Sequence, residues 1–172
     1  MKLELGSLTD QRPTEQHAVR PWVVDDFPAA FPDWQCPVTA LELARTFWEK
    51  ATILHAEHYR PTDQATPDRY ARHYADMERL LRHPDATAML ADRALCERVV
   101  EWKSRVFARQ WARYDLARPG TFRLLPAKER LAALARDYAQ MRAMFIAAPP
   151  EFEVVTASLA RAEDALNTTG AS

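Results

Sequence analysis

The chain has 172 residues, 48% hydrophobic and 27% charged, which is enough for one globular domain with a real core. A formal net charge of −1 excludes a molecule drawn as a whole to nucleic acid or to an anionic membrane, though a local basic patch stays open. Three glycines (Gly6, Gly120, Gly170) leave no Gly-rich phosphate loop, and two cysteines (Cys36, Cys96) without C-x-x-C spacing leave no disulfide framework or zinc knuckle.

Residues 1–38 differ from the rest. "KLELG" alternates, with Leu3 and Leu5 on one face, and "HAVRPWVV" is β-prone. Pro13, Pro21, Pro28, Pro32 and Pro37 break the remainder, so one or two short strands and an extended arm are expected. A strand at the first residues has no obvious partner in the chain, and a sheet needs several strands. The N-terminus lacks the apolar run of a signal peptide, and no stretch is long and apolar enough for a membrane span. The chain reads as cytoplasmic, with no membrane partner.

Residues 39–172 read as helical. A first helix is expected from Thr39, with Glu42 completing a capping box, to about Tyr59. A second begins with Thr66 as cap and Pro67 in its first turn, and stops at Pro84. A third runs from about Asp92 to Arg113, a fourth from about Ala127 to Ile146, and a fifth from about Pro150 to Leu166. The expected fold is therefore mainly α: a bundle of about five helices after a short β/extended N-terminal segment.

One residue stands out. Leu43, Phe47, Lys50 and Leu54 form one helical stripe, and the third is a lysine. On the second helix Tyr70, Tyr74, Met77 and Leu81 form the apolar stripe, with His73 and Leu80 beside it and Asp76 at its border. Lys50 and Asp76 each lie nine residues from the loop joining the helices. At 1.5 Å rise per residue both sit roughly 13 Å from that end, level with each other in an antiparallel hairpin. Two readings stand: a buried ion pair that sets helix register, or a site where lysine holds a phosphate and aspartate serves as base or metal ligand.

Weaker signals accompany this pair. His55 and His58 have metal-like i,i+3 spacing but no third ligand, and read as polar-face residues rather than a zinc site. Arg98, Trp102, Arg105, Arg109 and Arg113 would form a basic stripe on the third helix, suited to an RNA backbone and an unstacked base, or simply to solvent. Lys103, near the apolar side of that helix, is expected to snorkel. Only Lys2, Lys50, Lys103 and Lys128 are lysines, so the basic residues are mostly arginine, by compositional bias or for phosphate contact.

The words "ARTFWEKATILHAEHYRP" and "DRYARHYADMERLL", followed by "EWKSRVFARQWARYDLARPGTFRL", resemble the C-terminal half of AbiEii-type nucleotidyltransferase toxins of type IV toxin–antitoxin systems. "LELGSLTDQRPTEQHAVRPWV" is similar to the segment that precedes them there. The resemblance implies a polymerase-β-like core followed by helices, so the N-terminal segment would be a remnant of that core. It implies NMP transfer from an NTP to an acceptor such as tRNA, with Mg2+, and a cognate antitoxin as partner. It places Lys50 on the lysine directed at the triphosphate and Asp76 on the aspartate near it, with Arg45, Arg72 and His73 framing the nucleotide. The family's Asp-x-Asp metal pair is absent: Gly6-Ser7 is followed only by the adjacent Asp25 and Asp26, which point to opposite faces of a strand. Ala75 and Met77 also replace the usual tyrosine and leucine around the aspartate. The expectation is a chain incomplete for catalysis by itself, truncated or completed by an N-terminal half. The alternative is a non-catalytic RNA- or antitoxin-binding module. An exposed first strand and an uncovered cleft would favour a dimer.

Overall fold

The computed structural model describes Asp10, residues 12–32 and residues 34–168. The expected strand at Leu3 and Leu5 lies outside the described residues. Strand β1 (Thr14–Val19) pairs antiparallel with β2 (Cys36–Leu41), in a register running from Thr14 opposite Leu41 to Val19 opposite Cys36. Between them sits a one-turn helix, α1 (Val23–Asp26). The β-prone reading therefore holds for His17 to Val19 and fails for Val23 and Val24. All six residues of β1 are exposed, and so are Trp22, Phe27 and Trp34 on the connection.

The body of the molecule is helical: α2 (Leu43–His58), α3 (Arg72–Leu81), α4 (Ala86–Ala91), α5 (Arg93–Val106), α6 (Leu131–Gln140) and α7 (Phe152–Thr168). The six-residue α4 had no signal in the sequence. Short 3-10 turns cover Gln110–Ala112, Tyr114–Leu116, Lys128–Arg130 and Arg142–Met144. None of the described helices is long and apolar enough to cross a membrane. Helix α2 is the axis of the core. Phe47, Trp48, Ala51 and Leu54 are fully buried, and Trp48 packs edge-on to Phe47 and Phe122 with ring centroids 5.1 and 5.8 Å away. Tyr74 and Met77 of α3, Val99 of α5 and Leu159 of α7 close the same cluster.

Several helix ends differ from the sequence reading, each for a tertiary reason. Thr39 does not cap α2. It lies in β2, where its hydroxyl accepts a hydrogen bond from Gln16 at 2.6 Å, and Glu42 takes the cap position without a side-chain bond. The same strand spans the 38/39 position. Helix α3 starts five residues after Pro67. Asp137 of α6 accepts the backbone N–H groups of Arg69 and Ala71 at 2.7 and 2.8 Å, and Arg69 is held left-handed at φ 60°. Thr66 instead donates its hydroxyl to Glu57 and accepts from Arg130.

The third helix keeps its predicted start, since the Asp92 carboxylate accepts the N–H of Leu95. It stops at Val106, not Arg113. Arg113 is left-handed at φ 47°, and its carbonyl is taken by His55 Nε2–H at 2.9 Å, which forbids a continuing helix. The fourth helix is shortened to Leu131–Gln140, because the chain turns back and the Tyr138 hydroxyl donates to the Pro150 carbonyl at 2.8 Å.

His55 is a second correction. It is no polar-face residue: it is fully buried on α2. Its Nε2–H donates to Arg113 and its Nδ1 accepts the Arg123 N–H at 3.1 Å, so it clamps the segment 113–123 onto α2. His58 donates from Nδ1 to the Leu125 carbonyl at 2.8 Å. From the other side Glu163 of α7 accepts the N–H groups of Leu124 and Leu125, and Asn167 bonds both backbone groups of Phe122. An extended buried segment is thus satisfied by side chains in place of strand partners.

Burial pushes the His55 imidazole down to about 4, only partly opposed by its bond to Arg113. The unfolded chain binds that proton near pH 6.5 and the folded chain does not. The His55 contribution is therefore complete above pH 6.5 and is lost as pH falls toward 4. His73 is depressed to about 4 as well and adds to the same slope. Denaturant titrations between pH 7 and 5 should show falling stability with proton uptake on unfolding. In His55→Gln that uptake should drop by about one proton; an unchanged slope would contradict the assignment.

Candidate nucleotide-binding site

Lys50 and Asp76 meet. Nζ of Lys50 lies 2.6 Å from Oδ2 of Asp76 and 3.3 Å from Nδ1 of His73. Helices α2 and α3 are antiparallel, which brings the two residues level. Leu43 and Thr46, early in α2, share a groove with Leu80 and His83 near the end of α3, while Arg60 lies over the Tyr70 ring at the opposite end. An ammonium has only donors, so Nδ1 of His73 is the acceptor and the proton of the neutral ring sits on Nε2. Burial is the main reason His73 is depressed to about 4, followed by the charges of Lys50 and Arg72, with Asp76 opposing them.

The pair lies at the rim of the core. The Lys50 side chain is 22% exposed and that of Asp76 is 48% exposed. A half-exposed ion pair contributes about 0–1 kcal/mol. Stability alone therefore does not account for a lysine on this apolar stripe, and the buried register pair is not what forms. The stem of Lys50 runs between apolar neighbours, and its head opens on a groove of about 430 Å3 lined also by Thr46, Arg79 and Leu80. Arg72 and Arg79 are exposed on α3 and make no carboxylate pair among the described residues. The groove therefore carries Lys50 and Arg79 against the single carboxylate of Asp76, with Arg72 one turn before Asp76 on α3. That balance suits an anion such as phosphate.

Arg45 is not part of this frame. It is fully buried and donates to Glu49, to Asp10 and to the Arg12 carbonyl. Glu49 also takes Lys103 at 2.5 Å, and Asp10 also takes Arg98. The result is a continuous chain, Arg98–Asp10–Arg45–Glu49–Lys103, that ties the arm to α2 and α5. Burial works against the Asp10 charge, but hydrogen bonds from Arg45 and Arg98 outweigh it and hold its carboxyl below the usual range. Lys103 does not snorkel freely; it ends on Glu49, over the Phe107 ring.

The basic stripe is also redistributed. Because α5 stops at Val106, only Arg98, Trp102 and Arg105 share one helix. Arg98 is paired to Asp10, Arg105 to Glu101 and Arg113 to Asp115. Trp102 is half-buried and its indole Nε1 is inside the protein. Arg109 alone of the four stripe arginines has no carboxylate partner among the described residues. It lies over the Trp111 ring at 5.6 Å.

Thr46 and Arg79 were missed at the sequence level although a signal existed. Thr46 precedes Lys50 by four residues and Arg79 follows Asp76 by three, the spacings of neighbours on one helix face. The part played by Glu49 had no such signal, since its second partner lies on another helix. Among the described residues, no group of three or more His, Cys, Asp or Glu side chains is placed to hold a metal ion. The described residues do not by themselves fit a two-magnesium centre.

Comparison with known proteins agrees with the motif words. The family described as "Nucleotidyl transferase AbiEii toxin, Type IV TA system" matches residues 1–167. Comparison with curated proteins and with solved structures gave no match. With nearly its whole length matched, the chain belongs to the AbiEii family of nucleotidyltransferase toxins.

Proposed function

We propose that this chain forms the helical part of a nucleotidyl-transfer site in a type IV toxin. One observation carries the reading: Lys50, Asp76 and His73 converge within 3.3 Å across α2 and α3, where Lys50 and Asp76 line a groove with Arg79. Lys50 contacts the triphosphate of an NTP. Nε2–H of neutral His73 is a hydrogen-bond donor at pH 7, and Asp76 sets the position of the Lys50 ammonium until phosphate competes for it. Divalent cations, which such chemistry uses to clamp attacking and leaving oxygens, would be held by carboxylates of a polymerase-β-like core. The exposed hairpin supports such a core docking on it, since Trp22, Phe27 and Trp34 present apolar surface and an isolated two-stranded sheet is marginal in water. The test is nucleotide transfer to tRNA by Lys50→Ala and Asp76→Ala variants of a protein that carries both parts.

A second reading is a non-catalytic module that binds RNA or the antitoxin. The unpaired, exposed Arg109 favours it, as does the apolar arm for a protein partner. The isolated chain should then bind tRNA at low salt. Binding through Lys50, Arg72, Arg79 and Arg109 should give a salt slope of roughly three or four phosphate contacts. No binding at low salt would remove this reading.

A further inference from the structure

A row of contacts leads away from Lys50. His73 packs against Tyr70 with ring centroids 4.9 Å apart. Arg60 lies over Tyr70 at 5.7 Å and over Trp111 at 4.9 Å. Arg109 covers Trp111 as well, at 5.6 Å. The two arginines are held differently. Arg60 is fixed, because its Nε donates at 2.6 Å to Glu57, whose carboxylate is fully buried. Arg109 is exposed and has no carboxylate partner among the described residues, so its hold is the ring itself. Trp111 is only half-buried.

A guanidinium resting on an accessible indole is a contact that a flat aromatic ligand can replace at small cost. Cation–π contacts at exposed sites are weak, whereas base stacking on an aromatic ring is stronger and tolerant of base identity. Once displaced, Arg109 becomes available to a phosphate. The fixed Arg60 keeps Trp111 oriented while this happens. We propose that Trp111, oriented by Arg60 and covered by Arg109, is a stacking seat for an unpaired nucleobase whose phosphates extend along Tyr70 and His73 toward Lys50. The seat deepens the nucleotide-binding reading and rests on it. The base belongs either to a nucleoside triphosphate or to a single-stranded RNA end.

The experiment compares base-bearing with base-free ligands on the full chain. CTP is set against inorganic tripolyphosphate, and a short oligouridylate against an abasic ribose-phosphate strand of equal length. Wild type should bind the base-bearing member of at least one pair roughly tenfold more tightly. Trp111→Leu, which keeps apolar bulk without a π face, should erase that gain, and Trp111→Phe should keep most of it. A gain in the first pair identifies the triphosphate, and in the second the RNA strand. Equal affinity within both pairs, or a gain that survives Trp111→Leu, overturns the seat.

Lys50→Ala serves as the separate control. Loss of tripolyphosphate binding in that variant upholds the phosphate reading whatever Trp111 does, and unchanged binding sinks it. Should Trp111→Leu fail to fold, the wild-type indole N–H resonance of Trp111 decides. It should shift with a base-bearing ligand and stay in place with its base-free partner; no shift with either overturns the proposal.

Discussion

Lys50→Ala and Asp76→Ala, each in a protein carrying this chain with a nucleotidyltransferase core, should lower nucleotide transfer by roughly 10²–10³, the loss typical of one preorganised electrostatic contact to a developing charge. Their folds should survive. The pair is half-exposed and contributes about 0–1 kcal/mol, so thermal midpoints should move by no more than a few degrees. A pair that merely fixed helix register would behave otherwise. Replacing both members by leucine would then keep activity, because isosteric apolar replacements of ion pairs are often neutral or stabilising. Wild-type turnover by either alanine variant, or by the double leucine variant, sinks the site assignment. Transfer to tRNA and melting in parallel on the same preparations provide both readouts.

Arg45→Ala should act in the opposite sense, through stability. The side chain is fully buried and its guanidinium holds Glu49, Asp10 and the Arg12 carbonyl together. Removing one member of a buried charge network costs about 3–5 kcal/mol, and the lower end applies here. Glu49 keeps Lys103 and Asp10 keeps Arg98, so neither carboxylate is left alone. For a domain of this size the midpoint should fall by roughly 6–12 °C. Nucleotide binding measured well below the midpoint should be unchanged. A stable Arg45→Ala protein with weakened nucleotide binding would return Arg45 to the site.

Helices α2 and α5 carry one lysine each, and the two meet different fates. Lys50 and Lys103 both lie next to apolar stripes. Lys50 is only 22% exposed yet opens on a groove, and Lys103, 12% exposed, ends inside the molecule on Glu49. Periodicity treats them alike. What separates them is the partner that another helix brings, and a partner is not visible in a local window.

The sequence by itself determined the helical character of residues after 42, the family, and the level at which Lys50 and Asp76 would meet. The family rests on the resemblance of the motif words; the other two depend on short-range information: a 3.6-residue period, a loop length and a constant rise per residue. Helix ends and side-chain roles were decided by tertiary structure. Asp137 holds back the start of α3 from 66 residues away in sequence, and His55 takes the carbonyl of the left-handed Arg113 from 58 residues away. Arg45 becomes a structural hub because Asp10 reaches it across 35 residues, and Arg109, beyond the end of α5, has no carboxylate partner among the described residues. A propensity difference at a helix end is worth a few tenths of a kcal/mol, whereas a hydrogen bond is worth about 1 kcal/mol between neutral groups and about 1.5–3 kcal/mol to a charged group such as Asp137. The long-range bond therefore wins wherever the two disagree.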